Sequence, residues 1–215
     1  MPESTDKARA AILGRIGRAN TDANPLLRAA EYAGIARNYQ RSSQNDRAAI
    51  LELFSERLRD YDAVVRECGP DAVADTIDAA LAANGQESIV AAAGFPREWV
   101  PRAHACSSDA GATVETLSRA EGALVGCEVA VAHTGTIVLK DVRRLTLLPD
   151  RLLCVVSADQ VAETVPEAIE RLQPLARDAL TFISGPSATA DIEMTRIRGV
   201  HGPRFLDVVL VRPGL

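Results

Sequence analysis

Three glycine-containing segments carry the side chains that could take part in chemistry. They are residues 132–136 (AHTGT), 184–193 (SGPSATADIE) and 198–203 (RGVHGP). Each interrupts or follows a predicted β-strand. In open α/β sheets, ligands bind beyond the carboxyl ends of the strands, where the strand order reverses. We therefore expect the three segments to form the rim of one pocket.

The first segment offers a glycine turn flanked by hydroxyl groups. Gly135 permits a tight turn or a positive φ, and Thr134 and Thr136 add hydrogen-bonding capacity. Such a turn can present amide groups to a carboxylate or a phosphate. The alternative is a bulge or hairpin whose hydroxyls solvate their own backbone, and for this segment taken alone the alternative is favoured.

The second segment combines small residues with two carboxylates. Small residues let the backbone approach a ligand closely. The residues predicted to bind one are Gly185, Pro186, Ser187 and Thr189. Asp191 and Glu193 stand two positions apart, so an extended backbone would place both on one face, where they could bind a cation or act as acid and base. The alternative is a helix start, which Ser187 or Thr189 would cap.

The third segment places a histidine between two glycines. Gly199 and Gly202 would shape a turn that aims the His201 imidazole, which could contact a ligand, act as a general base or bond to a backbone carbonyl. The predicted catalytic group is His201, Glu193 and Asp191. A metal bound by these three is chemically possible, but their spacing is not that of a metal site, so none is predicted. The chain has no GxSxG, P-loop lysine or GxGxxG motif, which disfavours serine hydrolases, P-loop NTPases and Rossmann dehydrogenases.

Composition and charge exclude further classes of function. The chain has 215 residues and a net charge of -5, with acidic residues mixed among the arginines, so no nucleic-acid-binding surface is expected. It has neither a signal-peptide pattern nor an apolar run of the length that spans a membrane, so we expect a cytoplasmic protein without membrane contact. Neither a zinc site nor an iron–sulfur cluster is expected, because the cysteines lack the spacing of either. They are Cys68, Cys106, Cys127 and Cys154.

The elements that must position these segments begin with helices. The apolar periodicity predicts one helix over residues 6–19, ended by a break at 20–25, and a second from caps at Ser42, Ser43 and Asn45 through Leu58. A strand, a helix and a buried strand follow and form a βαβ unit, whose crossover should be right-handed in a parallel sheet. These three elements are residues 63–65, 71–83 and 88–93.

The rest of the chain continues as α/β. Residues 94–111 are predicted as an irregular loop, residues 144–148 as a segment able to pair back onto a strand, and Thr164 as the start of a helix. Further strands are expected at 128–132, 136–139, 152–156, 181–184 and 206–211. The pattern predicts an α/β domain over residues 61–215, with a three-layer architecture and a mostly parallel sheet, preceded by a helical extension over residues 1–60.

At the glycine-containing segments the sequence resembles the LUD family, and within it the lactate utilization protein C branch (LutC/YkgG). The similarity covers roughly residues 60–212 and rests on four motifs in order. These are 133–136 (HTGT), 148–151 (LPDR), 185–193 (GPSATADIE) and 199–203 (GVHGP). Members of the family commonly have an acidic residue where this chain has His133. That difference removes support for a role of this side chain but leaves the glycine turn intact.

The resemblance implies the NagB/RpiA/CoA-transferase-like fold, a three-layer α/β/α arrangement. It also implies a part in the oxidation of L-lactate to pyruvate beside iron–sulfur partner proteins, without an iron–sulfur cluster in this chain. Three functions follow as hypotheses. The chain is a non-redox subunit that binds a small anionic ligand or the partners, a free-standing enzyme on an anionic metabolite (nucleotide, CoA ester or sugar phosphate), or an assembly module whose glycine motifs only shape turns.

Overall fold

The residues that the computed structural model describes are 3–19, 25–190, 196–199 and 201–214. The chain divides into two compact units, residues 1–39 and 40–215. The first contains α1 (Glu3–Ala19), which the apolar periodicity predicts, and α2 (Pro25–Gly34), which it does not. Pro25 is expected to break a helix, but it stands at the start of α2, where the missing N–H of proline costs no hydrogen bond.

Helices and strands alternate through most of the second unit. In chain order, the described elements are α3 (Arg47–Asp60), β1 (Val64–Cys68), α4 (Val73–Ala83), β2 (Ser88–Ala91), β3 (Ala105–Ser108), α5 (Val114–Ser118), β4 (Ala123–Gly126), β5 (Val129–Val131), β6 (Thr136–Lys140), β7 (Arg151–Ser157), β8 (Val161–Ala162), α6 (Val165–Arg171), β9 (Leu180–Ile183), β10 (Ala188–Ala190), β11 (Arg196–Arg198) and β12 (Phe205–Val211).

A six-stranded sheet forms the centre of this unit. Its strand order is β1-β12-β7-β4-β2-β3, and all neighbours pair in parallel. The central strands β7 and β12 consist largely of buried apolar residues, as expected for strands that are covered on both faces. The parallel sheet and its helices confirm the predicted α/β class. β1 and β2 belong to this sheet, as the predicted βαβ unit requires, but three other strands lie between them.

Helices cover both faces of the parallel sheet. On one face α4 packs through Val73, Ile77 and Leu81, the stripe that its spacing predicts. On the other face α3 packs through Phe54 and Leu58, which are fully buried. The helix on one face, the sheet and the helix on the other face give three layers.

The layer that contains α3 also contains a second sheet. Its strand order is β8-β5-β6-β9. The pairs β5–β6 and β6–β9 are antiparallel, and the pair β8–β5 is parallel. One face of this sheet shares the core with α3, and the other is covered by Ala168 of α6 and by Leu172, which directly follows that helix. The helix α6 starts as predicted, because the Thr164 hydroxyl accepts a hydrogen bond from the backbone N–H of Glu167.

Helix α3 lies in the second unit. The predicted boundary at residue 60 would place it in the N-terminal extension, whereas the compact unit that contains it begins at residue 40. Its N-cap is Asp46, and the predicted caps Ser43 and Asn45 bond instead to Glu163. The buried face of α3 explains its place, since an amphipathic helix packs on the nearest apolar core whatever its position in the sequence.

The structure differs from the prediction in two segments, residues 94–111 and residues 144–148. Residues 94–111 contain β3, which lies at one edge of the parallel sheet and is mostly exposed, so it has no apolar run that would identify it. Residues 144–148 form turns instead of a strand, and the Leu148 N–H donates to the Arg144 carbonyl over 3.0 Å. No helix in the described part of the chain has both the length and the apolar character needed to cross a membrane.

Candidate functional site

A cavity of about 270 Å³ collects residues from the second and third glycine-containing segments. It lies at the amino ends of β7 and β12, where Leu152 and Leu206 form part of its wall. The expected location was the carboxyl ends of the strands. The difference arises because residues 184–187 leave a strand of the second sheet, while residues 201–203 lead into β12 rather than out of it.

Ser187 joins the two segments in this cavity. Its backbone N–H donates to the Pro203 carbonyl over 2.8 Å, and its carbonyl accepts from the Gly199 N–H over 2.8 Å. Its hydroxyl oxygen accepts from the His201 N–H over 3.2 Å. Because the hydroxyl acts as an acceptor in this bond, its proton stays available for donation to a ligand.

Gly202 brings the third segment against the turn that precedes β7. A Cβ at this position would lie 2.9 Å from the Thr146 carbonyl oxygen, so only glycine fits without a shift of the backbone. Thr146 and Arg143 line the same cavity. In the described part of the chain, no carboxylate pairs with the Arg143 guanidinium and no carbonyl accepts from it. A free guanidinium in a small polar cavity is suited to a carboxylate or a phosphate.

His201 lines the cavity as an exposed residue. Within the described residues its imidazole has no hydrogen-bond partner, and the bond that holds this residue is made by its backbone. The ring is therefore exposed to solvent, and a contact between it and a ligand stays a prediction. Gly185 and Pro186 also line the cavity and are buried.

The first segment does not line the cavity, but it contacts the second. The hydroxyl oxygen of Thr136 lies 2.7 Å from that of Ser184 and 2.7 Å from that of Thr134. Gly135 packs on α3, since a Cβ there would lie 3.0 Å from the Arg57 carbonyl carbon. The first segment thus contacts Ser184, a lining residue, without lining the cavity itself. This agrees with the alternative interpretation from the sequence, in which the hydroxyls of the segment bond locally.

The predicted carboxylate pair is not placed. Asp191 and Glu193 lie outside the described residues. Thr189 lies in β10, where it pairs with Ile197 of β11. The helix-capping alternative for Ser187 and Thr189 is wrong, because residues 188–190 are extended. Among the residues that the structure describes, no three His, Cys, Asp or Glu side chains form a group that could hold a metal ion.

Four polar residues that line the cavity are not among the predicted site residues, namely Arg143, Thr146, Thr181 and Ser184. Ser184 is recognisable as the residue before a glycine at a strand end. Thr146 lies in the segment 144–148 that the sequence pattern indicates as able to pair back onto a strand, and Arg143 directly precedes it. Nothing in the local sequence distinguishes this arginine among the 24 basic residues. Only the tertiary fold brings both residues to the cavity.

A buried carboxylate, that of Glu163, lies beside the first segment. It accepts hydrogen bonds from the Ser43 hydroxyl over 2.6 Å, from the Gln44 N–H over 2.8 Å and from the Asn45 side chain over 2.7 Å. The Ser43 hydroxyl and these other donors lower the pKa of Glu163 to about 2. The exposed His133 ring lies 3.4 Å away through Nε2. Glu163 therefore fixes the segment that precedes α3.

Comparison with known proteins gives a consistent result. The LUD domain matches residues 4–211. Lactate utilization protein C of Deinococcus radiodurans is 37% identical over 183 residues, which are 77% of this chain and 81% of that protein. Lactate utilization protein C of Bacillus subtilis is 34% identical over 116 residues, which are 48% of each chain.

A solved structure is also similar. A crystal structure of a duf162 family protein from Deinococcus radiodurans matches with a TM-score of 0.67 and 34% identity, and covers 78% of this chain and 99% of that chain. Because the family match extends over nearly the whole chain, this protein belongs to the LUD domain family.

Proposed function

We propose that this chain is a non-redox subunit of an L-lactate utilization system, acting in the cytoplasm in the oxidation of lactate to pyruvate. The proposal is supported by the 37% identity to lactate utilization protein C of Deinococcus radiodurans over most of both chains. In this role the cavity at the amino ends of β7 and β12 binds a small carboxylate.

The observation that carries the proposal is the Arg143 guanidinium, which no carboxylate of the described residues pairs, in one cavity with the Ser187 hydroxyl and the His201 ring. Arginine binds a carboxylate through two parallel hydrogen bonds, and a neighbouring hydroxyl can donate a third. The cavity, about 270 Å³, has room for a molecule as small as lactate or pyruvate.

The cysteines favour partners as the carriers of electrons. Cys68, Cys127 and Cys154 are buried, and burial raises the pKa of each thiol. Iron–sulfur clusters bind the thiolate form, which burial in an apolar core disfavours. We therefore assign electron transfer to iron–sulfur proteins of the same system, which this chain would bind.

Ligand-induced stabilisation tests the site. Binding to the native state raises Tm, so millimolar L-lactate or pyruvate should raise the Tm of the wild-type chain. Arg143→Gln should abolish this rise, and Arg177→Gln, which changes an exposed arginine outside the cavity, should preserve it. An equal rise in both variants would remove Arg143 from the site, and no rise in the wild-type chain would contradict the small-carboxylate ligand.

The alternative is a free-standing enzyme on an anionic metabolite such as a nucleotide, a CoA ester or a sugar phosphate. The same guanidinium favours it, since arginine binds phosphate as well as carboxylate. Growth separates the two functions. A strain that lacks its lactate utilization protein C should regain growth on L-lactate when it expresses this chain, and should not when it expresses Arg143→Gln. Iron–sulfur proteins of the lactate utilization system should also co-purify with this chain if it is a subunit of that system.

A further inference from the structure

A second cavity, of about 440 Å³, lies at the other end of the strands of the parallel sheet. The described residues of the three glycine-containing segments do not line it. Its walls come from the residues that follow β2 (92–96), from those at the end of β4 (126–128), and from Val155 near the end of β7. It therefore lies at the carboxyl ends of the strands, while the cavity that contains Arg143 lies at their amino ends.

The strand order reverses at this point of the sheet. From β2 the chain moves outward to β3, and then returns to add β4 on the other side of β2, followed by β7 and β12. The residues after β2 and β4 consequently diverge around a crevice. Crevices at the carboxyl ends of parallel strands, at a reversal of strand order, are where open α/β sheets bind their ligands.

One wall of the cavity is aromatic. Phe95 and Trp99 pack edge to face, with ring centroids 6.2 Å apart and an interplanar angle of 64°. Both rings are only partly buried and both line the cavity. A partly exposed aromatic pair provides a surface for a flat ring of a ligand.

The rest of the lining is polar and includes four charged side chains with few partners among the described residues. The lining contains the carboxylates of Asp109, Glu128 and Asp141 and the ammonium group of Lys140. Asp109 accepts one hydrogen bond, from the Ala93 N–H over 2.7 Å at its Oδ1. Within the described chain, the remaining oxygens of these carboxylates and the Lys140 ammonium form neither ion pairs nor hydrogen bonds with other side chains.

The excess of carboxylates determines the class of ligand. Three carboxylates repel an added anion more than one ammonium attracts it, and they accept hydrogen bonds from hydroxyl or amino groups. We infer that this cavity binds a neutral or cationic heteroaromatic molecule with hydroxyl or amino donors, of the nucleoside type. Its ring stacks on the Phe95–Trp99 wall, its donors bond to Asp109 and Glu128, and Lys140 donates to an acceptor on the ring.

Trp99 makes this site directly measurable, because it is the only tryptophan of the chain. Added adenosine should cause a saturable change in the fluorescence emission of Trp99. Tryptophan is excited at the red edge of its absorption, where the adenine base does not absorb. Adenosine 5′-monophosphate should bind more weakly, since its phosphate adds charge that the carboxylates repel. No saturable change with millimolar adenosine, or tighter binding of the monophosphate, would overturn the assignment.

Two variants locate the binding. Gly126 lines the cavity, has nothing within 4 Å of an added Cβ and needs no positive φ, so Gly126→Leu should fill the cavity without disturbing the fold. This variant should keep the wild-type Tm and lose the response to adenosine. Asp109→Asn retains the acceptor for Ala93 and should weaken binding about tenfold, through loss of a charged hydrogen bond.

A matched control separates this site from the first cavity. Arg143→Gln changes only the cavity at the amino ends of the strands, so it should leave adenosine binding unchanged. An unaltered response in a folded Gly126→Leu protein would contradict binding in this cavity. The outcome is independent of whether lactate or pyruvate binds near Arg143.

Discussion

The hydroxyl oxygens of Thr136 and Ser184 lie 2.7 Å apart and join the first glycine-containing segment to the second. Their backbone neighbours Ile137 and Ile183 form the end pair of the β6–β9 ladder, so the side-chain bond between Thr136 and Ser184 adds a contact just past the last backbone pair. It fixes the point at which the chain leaves β9 to form the wall of the first cavity. The hydroxyls of this segment therefore act on the site through Ser184.

Replacement of Thr136 by valine should weaken both the fold and the first cavity. The change removes an oxygen that bonds to Ser184 and to Thr134, at a nearly buried position. We expect a loss of about 1–2 kcal/mol in the free energy of unfolding, measured by urea denaturation. Thr134→Val is the control, because it removes only one of these bonds at an exposed position, and it should cost less. Equal losses of stability in the two variants would mean that the bond between Thr136 and Ser184 does not stabilise the fold.

Gly185 should tolerate no side chain. It has a φ of 82°, and an added Cβ would lie 2.6 Å from the Cβ of Tyr61. Gly185→Ala should thus lose about 2–4 kcal/mol, from the left-handed backbone together with the collision.

Gly111→Ala separates the two contributions to this loss. Gly111 has a φ of 75° but nothing within 4 Å of an added Cβ. Its alanine variant should therefore lose only the backbone contribution, about 1–2 kcal/mol. If the two alanine variants have the same urea midpoint, then the close contact with Tyr61 is not what requires a glycine at position 185.

The sequence signals that proved informative are those carried by local geometry. Glycine and proline around Ser187 and His201 indicate turns, and the structure brings these two residues into one cavity. Arg143 could not be found in this way, because its place depends on how a distant turn packs against Gly202. No local sequence pattern distinguishes Arg143 from an arginine on any other exposed turn.

The predicted position of the first cavity is wrong for a related reason. Apolar periodicity identifies strands but does not assign them to a sheet, and the strand before Ser184 belongs to the mixed sheet rather than the parallel one. The rule for carboxyl ends of parallel strands therefore does not hold for β9, which lies outside the parallel sheet. In the parallel sheet itself, the same rule points to the cavity near Trp99, whose lining carries no glycine-rich motif.

Asp207 should be essential to the parallel sheet. It is fully buried on β12 and bonds to Arg66 over 2.5 Å and to Arg151 over 2.6 Å. Removal of one member of a buried charge cluster leaves the others unpaired, so Asp207→Ala should lose about 3 kcal/mol in urea denaturation. Asp150→Ala is the control, because its ion pair with Arg204 is exposed and solvent screens it. A loss for Asp207→Ala no larger than that of the control would contradict this importance.

Glu163 should make the stability of the fold depend on pH. Its pKa in the folded chain is about 2, below the ordinary 4.5, chiefly because the Ser43 hydroxyl donates to the carboxylate. A lowered pKa means that the folded state favours the charged form. The stabilisation is fully present above about pH 4.5 and is lost as the pH falls towards 2.

Glu163→Gln isolates this contribution from that of other carboxylates. The variant keeps the shape of the side chain but removes the charge that Ser43, Gln44 and Asn45 bind. It should have a lower urea midpoint than the wild-type chain at pH 6, and the difference should narrow as the pH falls through the interval from 4.5 to 2, because the wild-type carboxylate then becomes protonated. A difference that stays constant over this interval would mean that the bonds to Glu163 stabilise its protonated form equally well.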